Sequence, residues 1–190
     1  MLPRLLMALS RARRWVDATI ATHWDGAATV ASLNMRGVER IFRGDVVSGA
    51  RVAVVDRPPR PPLERWGLRG DAGLAAIDPR GISLRDLIFI RRGCEDDESL
   101  IVHELIHVLQ WRRLGPRRFL AAYGLMLLEH GYDGSPLETM AYDLQRRFDR
   151  GELTGDIEPI VQRRTDEAIA ELGHRSWRHR MLLAGARFVP

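Results

Sequence analysis

The 190-residue chain contains no lysine, and all 29 of its basic side chains are arginine. Set against 25 acids, this leaves a net charge of only +4, so nucleic acid is not the expected partner. Arginine doublets begin at Arg13, Arg91, Arg112, Arg117, Arg146 and Arg163, dispersed and interleaved with acids, as on solvated helix faces. The five tryptophans show no regular spacing that would build a base-stacking platform. A single cysteine, Cys94, excludes an internal disulfide framework and a cysteine-rich zinc cluster. No apolar run approaches the roughly 18 residues of a bilayer span; the nearest, residues 124–128, ends at Glu129. No glycine-rich phosphate loop or serine-nucleophile elbow is present.

The first 15 residues, MLPRLLMALSRARRW, carry too short an apolar core for a signal peptide. Arginines stand where a small-residue cleavage site belongs. The expectation is a cytoplasmic protein. Leu5, Leu9, Ala12, Val16 and Ile20 fall on one helical stripe. That stripe is expected to pack on the rest of the chain. Peripheral membrane contact through residues 1–20 is the alternative.

Length and pattern predict one α+β domain over residues 1–190. Residues 1–44 read as a helical segment, and 45–94 as a small sheet interrupted by a proline-rich loop. Residues 95–173 form a helical half, and 174–190 a basic, irregular tail. Strands are expected at 51–56, at 74–77 and at the end of 82–90, where residues 87–90 are β-rich. The intervening RPPRPP, residues 57–62, suits neither helix nor central strand. Helices are expected over about 96–114, 117–130, 136–150 and 157–172. Gly115-Pro116, Gly131, Gly151 and Gly173 serve as stops.

Within the first of those helices lies His103-Glu104-Leu105-Ile106-His107, an HExxH sequence. With six His and eleven Glu in the chain, a chance occurrence has a probability of roughly 1%. Four residues at about 100° each return His107 to the same face as His103, one turn along. The two imidazoles can therefore share a metal, and zinc suits two imidazoles plus an oxygen ligand with a fourth position open. Glu104 is rotated off the ligand axis, where it can act on a water as general base. Seven apolar residues surround the motif from Leu100 to Leu109, so the helix should be buried. Buried histidines and a buried glutamate need partners.

The third ligand must come from elsewhere. Glu138, near the start of the third helix, is favoured. Ser135-Pro-Leu-Glu138 is also a capping box, in which the same carboxylate would close the helix N-terminus. His130 is the alternative ligand.

On these residues the chain resembles the gluzincin metallopeptidases, and more closely the minimal bacterial HExxH domains of that kind. The resemblance covers about residues 81–148, through the strand 86–90, the run from Ser99 to Gln110, and Glu138-Thr-Met-Ala-Tyr142. It implies a zincin-like fold in which the strand before the HExxH helix is a sheet edge that aligns an extended peptide. It implies His103, His107 and Glu138 as Zn2+ ligands, Glu104 as base, and a peptide or protein substrate. Where several gluzincins carry an Asp four residues after the ligand Glu, this chain has Tyr142, with Asp143 one further. Tyr142, His130 and Tyr132 are candidate oxyanion donors. The function expected is zinc-dependent peptide hydrolysis; the alternative is a catalytically silent, zinc-stabilised domain that binds peptides or serves as a scaffold.

Overall fold

The computed structural model describes residues 2–62, 78–175 and 183–184. The strand expected at 74–77 and most of the basic tail lie outside the described residues. The rest is mixed α+β, with seven α-helices and a small four-stranded mixed sheet.

The N-terminal stripe forms α1 (Leu2–His23). Val16 is fully buried, and Leu9 and Ile20 pack against the main apolar cluster. α1 lies along α5 (Pro116–His130), so this face of the stripe is covered by protein. Among the described residues no helix is long and apolar enough to cross a membrane. The segment after α1 is not wholly helical: β1 (Ala28–Thr29) precedes a 3-10 turn and the short helices α2 (Arg36–Ile41) and α3 (Gly44–Gly49). A two-residue strand carries too little pattern to be read in advance.

The β-branched run RVAVV forms β2 (Arg51–Val55). It pairs antiparallel with β1 and parallel with β4 (Leu87–Arg91), Val52 opposite Ile88 and Val54 opposite Ile90. The β-rich residues 87–90 form β4 as expected, and the residues ahead of them add a strand that was not foreseen, β3 (Gly81–Leu84), to make a hairpin. Its turn, Arg85-Asp86, lacks the glycine or asparagine that announces such turns, and Arg85 takes left-handed backbone (φ 57°). Two ion pairs pin it. Arg85 reaches Asp17 at 3.2 Å, and Arg112 reaches Asp86 at 2.6 Å.

The sheet order β1-β2-β4-β3 corrects the expected edge. β4 is internal, and Leu87 to Ile90 are buried on both faces, as a continuous apolar run in a parallel pairing requires. The edge is β3.

α4 (Glu98–Leu114) runs through the centre of the molecule, with every residue from Leu100 to Trp111 buried. Asp97 caps its N-terminus: its Oδ1 accepts from the Leu100 amide at 3.0 Å. α4 packs on β3 and β4 on one side and on α5, α6 (Pro136–Asp149) and α7 (Glu158–Arg175) on others. Gly115 (φ 73°) ends α4, and Pro116 opens α5 at once. Gly173 does not stop α7, which continues to Arg175; one glycine costs a helix only about 1 kcal/mol.

Candidate metal centre

His103 and His107 project from α4 toward the first turn of α6, where Glu138 meets them. One ligating atom from each residue falls within a sphere of contacts no wider than 4.8 Å. The two Nε2 atoms are 3.1 Å apart. Glu138 Oε1 is 3.4 Å from His107 Nε2, and Oε2 is 3.6 Å from His103 Nε2. All three side chains are buried.

Each histidine is oriented from behind by a glutamine. His103 Nδ1 lies 3.1 Å from Gln145 Oε1, and His107 Nδ1 lies 2.8 Å from Gln110 Oε1. The amide orientations are fixed in turn, because Gln145 Nε2 donates to Ser99 Oγ and Gln110 Nε2 donates to the Leu137 carbonyl. Both Nδ1 atoms therefore carry the proton, and both Nε2 lone pairs face inward at a carboxylate.

Three acceptors facing one another need a cation among them. Glu138 Oε2 is buried with no hydrogen-bond partner. The separations of 3.1, 3.4 and 3.6 Å approach the edge of about 3.3 Å of a tetrahedron built on zinc–nitrogen bonds. The His103–His107–Glu138 group can hold a metal ion. Without one, a proton takes its place. Burial opposes charge on His107, but the Glu138 carboxylate outweighs it and raises the imidazole to about 9. Burial likewise opposes ionisation of Glu138, and the two histidines outweigh it, holding the carboxyl far below its usual range.

The competing role of Glu138 as a helix cap is not taken up. Ser135 is the N-cap of α6 but makes no side-chain cap bond, and its Oγ is buried without a partner. Glu138 is turned instead toward the histidines and accepts from the Tyr123 hydroxyl at 2.7 Å. His130 is not among the grouped ligand atoms; it sits at the end of α5, 3.7 Å from Glu129.

Glu104 is also buried, at 3% exposure, on the side of α4 that faces β3. Its Oε2 accepts from Ser83 Oγ at 2.7 Å. Burial raises its pKa, against the pull of the two histidines. Tyr142 stacks obliquely on His103 with centroids 4.5 Å apart, and its hydroxyl is 3.4 Å from that of Tyr132. Asp143 points elsewhere, to Arg164 at 2.6 Å.

Beside Glu104 runs β3, an edge of the sheet among the described residues. The Arg80 carbonyl accepts from the Arg91 amide, so alternation turns residues 82 and 84 toward β4 and residues 81 and 83 outward. The Ser83 carbonyl is taken by Trp111 Nε1 at 3.1 Å. The Gly81 amide and carbonyl and the Ser83 amide have no partner among the described residues.

Tyr123, Gln110 and Gln145 escaped the sequence reading. Gln110 lies three residues after His107 and Gln145 seven after Glu138, both spacings that share a helix face. Tyr123 has no such signal. Ligand-orienting partners typically govern metal affinity by 10–100-fold. Gln110→Leu is thus expected to weaken cation binding by about that factor relative to the wild type. Competition against a chromogenic chelator measures both.

Comparison with known protein families, curated proteins and solved structures gives no match for this chain.

Proposed function

We propose that the chain is a zinc-dependent peptide hydrolase of the gluzincin kind, with His103, His107 and Glu138 as the zinc ligands. The observation that carries this reading is Glu104. It is a fourth buried ionisable group, outside the ligand set but close enough to feel the charge of both histidines and of Glu138, and a carboxyl kept in so costly a place is where catalytic groups are found. A general base at that position has one. Zinc is supported by the donor set of two imidazoles and a carboxylate, which suits it.

Zinc, when bound, polarises a carbonyl and lowers the pKa of water toward about 7. The chain's own residues do the rest. Glu104 takes a proton from the attacking water on a carboxylate oxygen and returns it to the leaving amine nitrogen. The outward amide and carbonyl of Gly81 and the Ser83 amide hold the substrate as an added strand. Trp111 ends that ladder by occupying the Ser83 carbonyl. The Tyr142 hydroxyl, on a ring packed against His103, supplies a donor for the developing oxyanion.

A second reading, a zinc-stabilised scaffold without turnover, draws on the burial of all four groups, each under 8% exposed. The deciding experiment measures metal content of the purified protein and cleavage of an unstructured peptide library, before and after chelation. One zinc per chain and cleavage that chelation abolishes and zinc restores are expected. One zinc with no cleavage moves the conclusion to the scaffold; no affinity for zinc ends both.

A further inference from the structure

We propose that Ser83 and Gly81 are the positioning residues for Glu104, fixing its carboxyl against the same edge strand that docks the peptide. This rests on the hydrolase reading above.

Gly81 and Ser83 are two apart on β3, so their side-chain positions share one face of the sheet. That face looks onto α4. A Cβ added at Gly81 would lie 2.6 Å from Glu104 Oε1 and 3.0 Å from its Cδ and Cγ. Only glycine leaves room for the carboxyl there. Next to it, the Ser83 hydroxyl lies 2.7 Å from Glu104 Oε2 and 2.8 Å from the Glu104 backbone carbonyl. One residue type makes the space and the other holds what fills it.

The hydroxyl has one proton and two acceptors within reach. Facing a carboxylate, it donates to Oε2. When Oε2 bears a proton, that oxygen donates to Ser83 Oγ, and the hydroxyl turns its own proton to the Glu104 carbonyl. Both forms of the base are hydrogen-bonded with no heavy atom displaced. A glutamate otherwise has three free torsions, and misplacement of a reacting group by about 1 Å can cost 100-fold in rate.

The backbone amides and carbonyls of the same two residues point at right angles to those side chains, in the plane of the sheet. Their outward amides and the Gly81 carbonyl form the docking edge, while their side-chain positions cradle Glu104. The distance from base to bound peptide is therefore set within a single dipeptide step of β3, not across two independently packed elements.

The test compares Ser83→Ala, Ser83→Thr and Gly81→Ala by crystal structure, zinc content and steady-state kinetics on a cleaved peptide. Ser83→Ala is expected to release the Glu104 carboxyl from β3 and to lower kcat by about 100-fold with KM and zinc content unchanged. Ser83→Thr, which keeps the hydroxyl, should hold Glu104 in place and recover kcat. Gly81→Ala should displace the carboxyl with the hydroxyl still present. Glu104 unmoved in Ser83→Ala, or equal kcat in the alanine and threonine variants, overturns the assignment. If the wild-type protein cleaves no peptide, yet Ser83→Ala still frees the carboxyl and Ser83→Thr does not, the hydrolase reading falls and the positioning stands.

Discussion

Glu104→Gln is expected to lower kcat for peptide cleavage by about 10³-fold while the protein keeps its full complement of zinc. The two halves of that result come from different parts of the structure. Glu104 contributes no atom to the ligand group, so the cation site survives. Glutamine matches glutamate in shape and keeps an oxygen to accept from Ser83, so the cradle on β3 stays filled. What the amide lacks is the capacity to take a proton. Burial also penalises the charged form of Glu104, so a neutral replacement should leave the thermal midpoint unchanged or raise it. Cleavage of a fluorogenic peptide, elemental analysis and a melting curve on one preparation measure all three. Undiminished cleavage would show that another group serves as base, and loss of zinc would place Glu104 among the ligands. In the scaffold reading this substitution has no functional consequence.

The site was more legible in the sequence than the sheet that frames it, for physical reasons. An HExxH on an apolar helix is a local signal: 3.6 residues per turn fixes the relation of His103 to His107 before any tertiary structure is known. Glu138 needed a choice between metal ligand and helix cap. Sequence spacing could not make it, because the capping box and the ligand use the same carboxylate. The structure turns that carboxylate away from the cap, to the histidines and to Tyr123. The edge position that the resemblance implies for the strand 86–90 falls to β3, which was missed because only residues 87–90 carry a clear β-rich signal and the Arg85-Asp86 turn lacks the glycine or asparagine that announces a hairpin. Its geometry depends on ion pairs to Asp17 and Arg112, 68 and 26 positions distant in sequence. Tyr123 was invisible for the same reason. Its role comes from the packing of α5 on α6, which no periodicity within either helix encodes.

Glu138→Ala is expected to remove most of the zinc dependence of stability. In the wild-type protein, zinc at 100 times its dissociation constant should raise the unfolding free energy by about 2.7 kcal/mol. Structural zinc sites gain roughly 3 kcal/mol per ligand, so loss of the carboxylate weakens binding by on the order of 100-fold, and the same zinc concentration then adds little. Without metal the variant is also destabilised, because the Tyr123 hydroxyl loses its acceptor, a loss of roughly 1–3 kcal/mol for a buried group. That second effect alone would fit a carboxylate that merely pairs with His107, so the measurement must separate them, and pH does so. In the metal-free protein the raised pKa of His107 makes its pairing a stabilising term below about pH 6.5, one that fades as pH rises through about 9. Zinc must displace that same proton, so its contribution grows over the same interval. Chemical denaturation at pH 6 and pH 9, with and without zinc, should therefore show a zinc-dependent gain that increases with pH in the wild type and is nearly lost in Glu138→Ala. If the variant keeps the zinc-dependent gain, the third ligand lies elsewhere, and His130→Ala is the variant in which to look for its loss.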